Sequence, residues 1–228
     1  MRQRLCASLL FALALGVAGP ASAAIDDGTC RNGAFPSENA DFGLAVIVGA
    51  GRAYLLYDME GCPNISAQCA KAGEGYVLPG DRVVTGRAKG DYVCAYYPSR
   101  GGGSAGWVEK SRLRALAIDA KPPASSWVGR WSDEGNPRLR IAGGPGAFHV
   151  TGEAYWPGPD RAKDWPPGWP HTGQIDGKLS LLGNRARYDE DGCKIELTLV
   201  GDMLVASDND MCGGMNVHFN GVYRRARG

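Results

Sequence analysis

The sequence predicts an all-β protein, built as a small β-barrel followed by a second antiparallel β-barrel of about eight strands. Glycine and proline are frequent, with 34 and 14 residues among 228, which is typical of a chain with many turns. Short β-branched and aromatic runs recur along the chain, whereas long runs with helical periodicity are few. Because turn signals separate these runs regularly, we expect antiparallel strands joined by tight turns.

The N-terminal segment has the pattern of a secretory signal peptide. Two arginines within the first four residues precede an uncharged run over residues 9–17, and the segment ends with Ala-Ser-Ala at 21–23. The apolar run is too short to span a bilayer, and no other stretch of the sequence comes near the necessary length. We therefore expect cleavage after residue 23, a secreted or periplasmic location and no transmembrane segment.

The charge balance argues against a nucleic-acid partner. Without the two arginines of the signal segment, 23 lysine and arginine residues remain against 24 acidic residues. The charges are also nearly balanced on each side of residue 120, so neither half carries the basic patch that nucleic-acid binding requires.

The cysteines predict disulfide bonds. An even number remains after the signal segment, namely Cys30, Cys62, Cys69, Cys94, Cys193 and Cys212, and an even count in an exported chain is typical of a disulfide framework. No Cys-x-x-Cys pair is present, so a metal site is not expected. We predict a Cys193–Cys212 bond in the C-terminal half. The other four allow three connectivities; we favour Cys62–Cys69, because its loop is short, together with Cys30–Cys94.

Residues 76–116 read as a tight antiparallel meander, with turn signals at Pro79-Gly80, at residues 89–91 and at residues 101–103. Three parts of it carry a resemblance: Leu78 to Asp81, Gly90 to Tyr96, and Gly106 to Val108. Together they resemble a bacterial Src-homology-3-like domain over residues of about 50–117. The resemblance implies a small binding module within residues 24–117. It also implies that the loop between Tyr57 and Tyr76 lies beside a face that binds peptide or cell wall.

Residues 118–126, which contain Lys-Pro-Pro, are the predicted linker to a second domain over 127–228. Eight short strands are predicted in that domain, at 127–132, 138–142, 147–155, 173–181, 184–189, 193–200, 202–207 and 216–224. A closed up-and-down barrel is expected, because closure leaves no exposed strand edge.

The two ends of this second domain resemble the calycin barrels in architecture. The first predicted strand holds Gly129 and Trp131, and the last ends with Tyr223-Arg224-Arg225. The resemblance implies that an arginine of the last strand covers the tryptophan near the first strand.

Aromatic residues are the candidates for ligand contact. In the N-terminal module these are Tyr54, Tyr57, Tyr96 and Trp107. In the C-terminal half they lie in a segment rich in proline over residues 156–173, and they are Trp156, Trp165, Trp169 and His171. Exposed aromatic faces bind sugar rings, peptides or partner proteins. A lid over one end of the barrel is an equal and compatible interpretation of this segment.

Catalytic and metal-binding motifs are weak. The three histidines are isolated in sequence, and the acidic run at 208–210 lacks two of the residues that a calcium loop requires. No cysteine is left over as a nucleophile after the signal segment. We therefore predict no catalytic residues, no metal and no cofactor.

The predicted function is that of a secreted or periplasmic, non-catalytic binding protein. Its N-terminal module would bind a cell-wall or peptide ligand, and its barrel would contact a second ligand or partner, such as peptidoglycan, a peptide or an envelope protein. The alternatives are an envelope-associated inhibitor or structural protein and, third, a glycan hydrolase whose paired acids only the fold would bring together. The sequence makes no prediction about oligomeric state.

Overall fold

Antiparallel strands form most of the structure, a computed structural model that describes residues 29–37, 41–64, 69, 75–99, 102–133, 138–144, 146–156, 158 and 170–226. Within these residues there are fifteen strands and two 3-10 helices. The all-β prediction is therefore confirmed. No helix in the described part of the chain is long and apolar enough to cross a membrane.

The N-terminal half contains seven strands among its described residues: β1 (Gly43–Ile47), β2 (Ala53–Tyr54), β3 (Tyr76–Val77), β4 (Arg82–Lys89), β5 (Tyr92–Ser99), β6 (Gly102–Glu109) and β7 (Leu113–Leu116). Five of them form one antiparallel sheet in the order β6-β5-β4-β1-β7, and a 3-10 helix at Lys110–Arg112 leads into the last strand. Strands β2 and β3 form a separate two-stranded hairpin in the excursion between β1 and β4. The turn before β4 closes where the Asp81 carboxylate accepts the Leu78 N–H at 2.7 Å.

The C-terminal half is a closed barrel of eight antiparallel strands, as predicted. Its strands are β8 (Gly129–Ser132), β9 (Arg138–Gly144), β10 (Ala147–Trp156), β11 (His171–Leu182), β12 (Arg185–Glu190), β13 (Cys193–Val200), β14 (Met203–Asp208) and β15 (Gly221–Arg225). Each strand pairs with the next along the chain, and β15 returns to β8. Alternate side chains point inward, so the first five residues of β12 and the first half of β13 follow a strict exposed–buried pattern.

The last strand begins five residues later than the predicted 216–224. The reason is a buried carboxylate that the local pattern does not reveal: Asp208 accepts the backbone N–H of Phe219 and that of Asp210. The side chain of Asn220 in turn accepts the Asp208 N–H at 2.7 Å. Asn216 also has a φ of +62°, which extended strands do not use. These bonds hold residues before Gly221 in a loop.

The six cysteines that follow the signal segment pair as predicted. The Cα atoms are 5.5 Å apart in Cys30–Cys94, 5.9 Å in Cys62–Cys69 and 4.6 Å in Cys193–Cys212. The first bond ties the N-terminal segment to β5, and the third ties the loop after β14 to the start of β13. None of these three disulfides joins the two halves of the chain.

Trp131 and Arg225 close the barrel where its first and last strands meet. The Arg225 guanidinium lies 4.6 Å from the centre of the buried Trp131 ring. It also donates hydrogen bonds to the carbonyl oxygens of Val128, Ser126 and Ser125, at 2.6, 2.7 and 3.1 Å. The contact that the calycin likeness implied is therefore present, and the likeness is one of architecture only.

The two halves share an apolar core. Leu44, Val84 and Tyr96 of the N-terminal sheet cluster with residues from the outer face of the barrel, which are Val200, Met203, Val205 and Val222. All are buried. An ion pair between Arg82 and Asp202, at 3.2 Å, borders the contact. The barrel wall at β13–β15 thus has a core on each of its faces.

Cleavage of the linker should leave the halves associated. We expect a protein with a specific protease site in place of residues 119–123 to elute as one species after cutting, because separation would expose the shared core to water. Met203→Asp should make the cut fragments separate, whereas Leu182→Asp, on a side chain that is 83 % exposed, should not. Gel filtration after cleavage measures this, and separation of the parent fragments would contradict a stabilising shared core.

Loss of Arg225 should destabilise the barrel. We expect Arg225→Ala to lower the free energy of unfolding by about 2–3 kcal/mol, since three hydrogen bonds and a cation–π contact are lost. Arg187→Ala, which removes an exposed ion pair with Asp189, should cost about 1 kcal/mol or less. Urea unfolding compares the two variants, and equal losses would show that Arg225 does not close the barrel.

Candidate functional site

Two tyrosines and an arginine form an exposed aromatic surface on the β2–β3 hairpin. Tyr54 and Tyr76 are directly opposite each other in the register, and they are 43 % and 40 % exposed. The guanidinium of Arg52 lies 4.2 Å from the centre of the Tyr76 ring. We call Arg52, Tyr54 and Tyr76 the tyrosine patch. Two aromatic faces and a planar cation at one surface suit a ligand with flat or apolar faces.

Strand alternation places the tyrosine patch outside. The neighbours Ala53, Leu55 and Val77 are all buried, so Tyr54 and Tyr76 must point away from the core. The Leu55 N–H donates to the Gly75 carbonyl at 3.0 Å and keeps the hairpin closed. The patch is therefore held on a backbone that packs into the core.

Contacts with β6 fix the position of this hairpin. Leu56 and Trp107 exchange two backbone hydrogen bonds, each of 3.0 Å. Glycine at position 106 is required for this approach, because a Cβ atom there would lie 2.7 Å from the Cβ of Leu55. Tyr57, which follows Leu56 in the chain, is 52 % exposed.

The structure corrects the predicted contact roles of Tyr96 and Trp107. Tyr96 is 4 % exposed and Trp107 is fully buried, so neither ring can meet a ligand. Burial, followed by the negative charge of Asp133, raises the pKa of the Tyr96 hydroxyl above its usual value. The Trp107 indole N–H donates to the Asp58 carboxylate at 3.2 Å. Both are core residues because the β5–β6 register turns them inward.

Asp58 and Tyr76 were missed in the sequence. The Asp58 carboxylate accepts the Cys30 N–H at 2.9 Å as well as the Trp107 indole N–H, so it joins the N-terminal segment to β6. No local pattern points to that role. The sequence did indicate an outward-facing Tyr76, since this residue alternates with the apolar Val77 in a short strand next to a turn.

The barrel brings together two of the four aromatic residues predicted in its half. Trp156 and His171 are a directly opposed pair on β10 and β11, with ring centres 5.5 Å apart. His171 Nδ1 also lies 2.7 Å from the carbonyl oxygen of Met215. Trp165 and Trp169 lie outside the described residues, so their contact role stays a prediction.

Within the part of the chain that the structure describes, Asp208, Asp210 and His218 form a cluster that could hold a cation. One donor atom from each lies within 4.8 Å of the others. His218 Nδ1 is 3.1 Å from the Asp210 carboxylate, and the buried Asp208 carboxylate already accepts two backbone N–H groups. These contacts explain why the three side chains cluster: they stabilise a polar turn beside the Cys193–Cys212 bond.

Comparisons with known proteins identify no relative. No family model, no curated protein and no solved structure matches the chain. Among the described residues, the tyrosine patch, which includes the predicted Tyr54, is the strongest candidate surface for ligand contact.

Proposed function

We propose that the protein is an exported, non-catalytic binding protein whose N-terminal half holds a cell-wall or peptide ligand against the tyrosine patch. The single observation that carries this proposal is the exposed Tyr54–Tyr76 pair with Arg52 stacked on it. Aromatic side chains on a positioned backbone lose little conformational entropy when they bind, so they contribute more to affinity than flexible side chains do.

The Src-homology-3-like assignment is part of this proposal. Its support is a small antiparallel sheet of short strands with one long excursion between β1 and β4. The resemblance places a binding face beside the loop between Tyr57 and Tyr76. Tyr54, Tyr57 and Tyr76 flank that loop and are all exposed, which agrees with such a face.

Export is supported by the disulfides. Three bonds in one chain are compatible with an oxidising compartment outside the cytoplasm. The signal segment and its cleavage remain predictions from the sequence, and the absence of catalysis does too. The barrel is proposed to contact a second ligand or partner near the Trp156–His171 pair.

Co-sedimentation with purified, insoluble peptidoglycan tests the tyrosine patch. We expect Tyr54→Ala combined with Tyr76→Ala to weaken retention at least about tenfold, as loss of aromatic anchors does, with little change in the melting temperature. Leu182→Ala is the control, because it removes an exposed apolar side chain from the barrel. A double variant that is retained like the parent would refute the role of the patch. A parent that is not retained at all would refute the cell-wall ligand and leave soluble peptides as the next probe.

The tryptophan segment has a separate test. If Trp165 and Trp169 form a contact surface, Trp165→Ala with Trp169→Ala should change the free energy of unfolding by less than about 1 kcal/mol, since exposed aromatics contribute little to the core. We expect that result in urea unfolding. A loss of several kcal/mol, roughly what removal of a buried tryptophan costs, would instead identify a lid.

A further inference from the structure

A charged cleft lies on the outer face of the barrel, and none of the residues that line it was predicted from the sequence as a ligand contact. It has a volume of about 500 Å³ and crosses strands β8 to β11. The charged and hydroxyl side chains that matter for its chemistry are Arg130, Arg138, Arg140, Thr151, Glu153 and Asp176. We call this surface the arginine cleft.

The strand register concentrates positive charge at one side of the cleft. Arg130 on β8 is directly opposite Arg140 on β9. Arg138 lies two residues before Arg140 on the same face of β9, a separation of about 7 Å along a strand. Neighbouring strands are about 4.8 Å apart, so three guanidinium groups begin from closely spaced backbone positions.

Among the described residues, the Arg130–Arg140 pair lacks the carboxylate partners that Arg187 has. Like charges directly opposite each other on adjacent strands are destabilising. Arg187 on β12, by contrast, contacts the carboxylates of Asp189 and Glu196, at 2.7 and 3.7 Å. Among the described residues, no carboxylate lies within ion-pair distance of Arg130 or Arg140. This pair therefore has an electrostatic cost that a bound anion would remove.

The opposite side of the cleft is acidic. Glu153 is the cross-strand neighbour of Arg138 on β10, and Asp176 on β11 is held by His149 at 2.6 Å. Thr151 lies between Arg140 and Asp176 in the register. The cleft thus favours a negative group at the β8–β9 side only, and it disfavours a polyanion that would extend across all four strands.

We propose that the arginine cleft binds a ligand with a single anionic end, a carboxylate or a phosphate, between Arg130 and Arg140. Guanidinium groups donate paired hydrogen bonds to such oxyanions, and the Thr151 hydroxyl is the neighbouring neutral donor. The remainder of the ligand lies toward Glu153 and is neutral or cationic. This site is distinct from the tyrosine patch, and it gives the barrel a ligand of its own.

Titration followed by NMR of the arginine side-chain N–H signals tests the proposal on the full mature chain. The probes are inorganic phosphate and N-acetylglycine, at an ionic strength held constant with sodium chloride. We expect at least one probe to shift the Arg130 and Arg140 signals with saturation, and the responding probe identifies phosphate or carboxylate as the anionic group. If neither probe shifts them beyond the effect of chloride, the proposal is overturned.

Substitutions distinguish a specific anion-binding site from nonspecific attraction of anions to positive charge. Arg130→Gln and Arg140→Gln should each lower the affinity for the responding probe at least about tenfold, which is the effect expected from the loss of one charge-assisted hydrogen bond. Arg187→Gln, the matched control with carboxylate partners, should leave the affinity unchanged. Equal losses in all three variants would overturn the proposal.

A stability measurement gives an independent readout. Because Arg140→Gln relieves a like-charge contact, the variant should unfold at a higher temperature than the parent at low salt, and the difference should shrink as salt is added. Arg187→Gln should not be stabilising, since it loses attractive contacts. If Arg140→Gln is no more stable than the parent at low salt, the two arginines do not destabilise the fold, and the proposal of an anion-binding site is overturned.

Discussion

The wall of the barrel that faces the N-terminal half is the contact on which the rest of the structure depends. Alternation along β14 sends Leu204 and Ala206 into the barrel, while Met203 and Val205 turn outward into the core that the halves share. A wall that is buried on both faces needs apolar side chains at successive positions, and β14 begins with four buried residues in a row. Each half therefore covers apolar surface of the other, and the chain is better described as two cores with one common wall than as two tethered units.

Buried carboxylates perform a similar task at two distant places. Asp58 accepts N–H groups from Cys30 and Trp107, and Asp208 accepts them from Asp210 and Phe219. In each case one acidic side chain accepts hydrogen bonds from two separate residues, and a disulfide lies close by in the sequence. Unsatisfied buried donors are costly, so these aspartates allow long irregular segments to pack against a β-core. No local pattern in the sequence points to these roles, yet the contacts of Asp208 determine where β15 begins.

The sequence predicted the elements better than it predicted the surfaces. Strand β13 was predicted at its observed bounds, and the closed barrel followed from regular turns. The face that a side chain occupies depends instead on register across strands. That is why Tyr96 and Trp107 were taken for ligand contacts although they are buried, and why Tyr76 was overlooked. The late start of β15 has the same origin, because the hydrogen bond between Asp208 and Phe219 joins residues that no local pattern relates.

The two proposed ligand surfaces consist of residues that the fold leaves exposed or, among the described residues, without carboxylate partners. Large aromatic residues are the most conspicuous feature of the sequence, but folding uses most of those described, including Trp107, Trp127 and Trp131, to fill its cores. Strand alternation turns two tyrosines of the hairpin outward, and the β8–β9 register places two arginines directly opposite each other. Both surfaces raise the free energy of the folded protein. The tyrosines expose apolar area to water, and the opposed arginines repel each other. A ligand removes such a cost when it binds, whereas a well-paired surface residue has nothing comparable to gain.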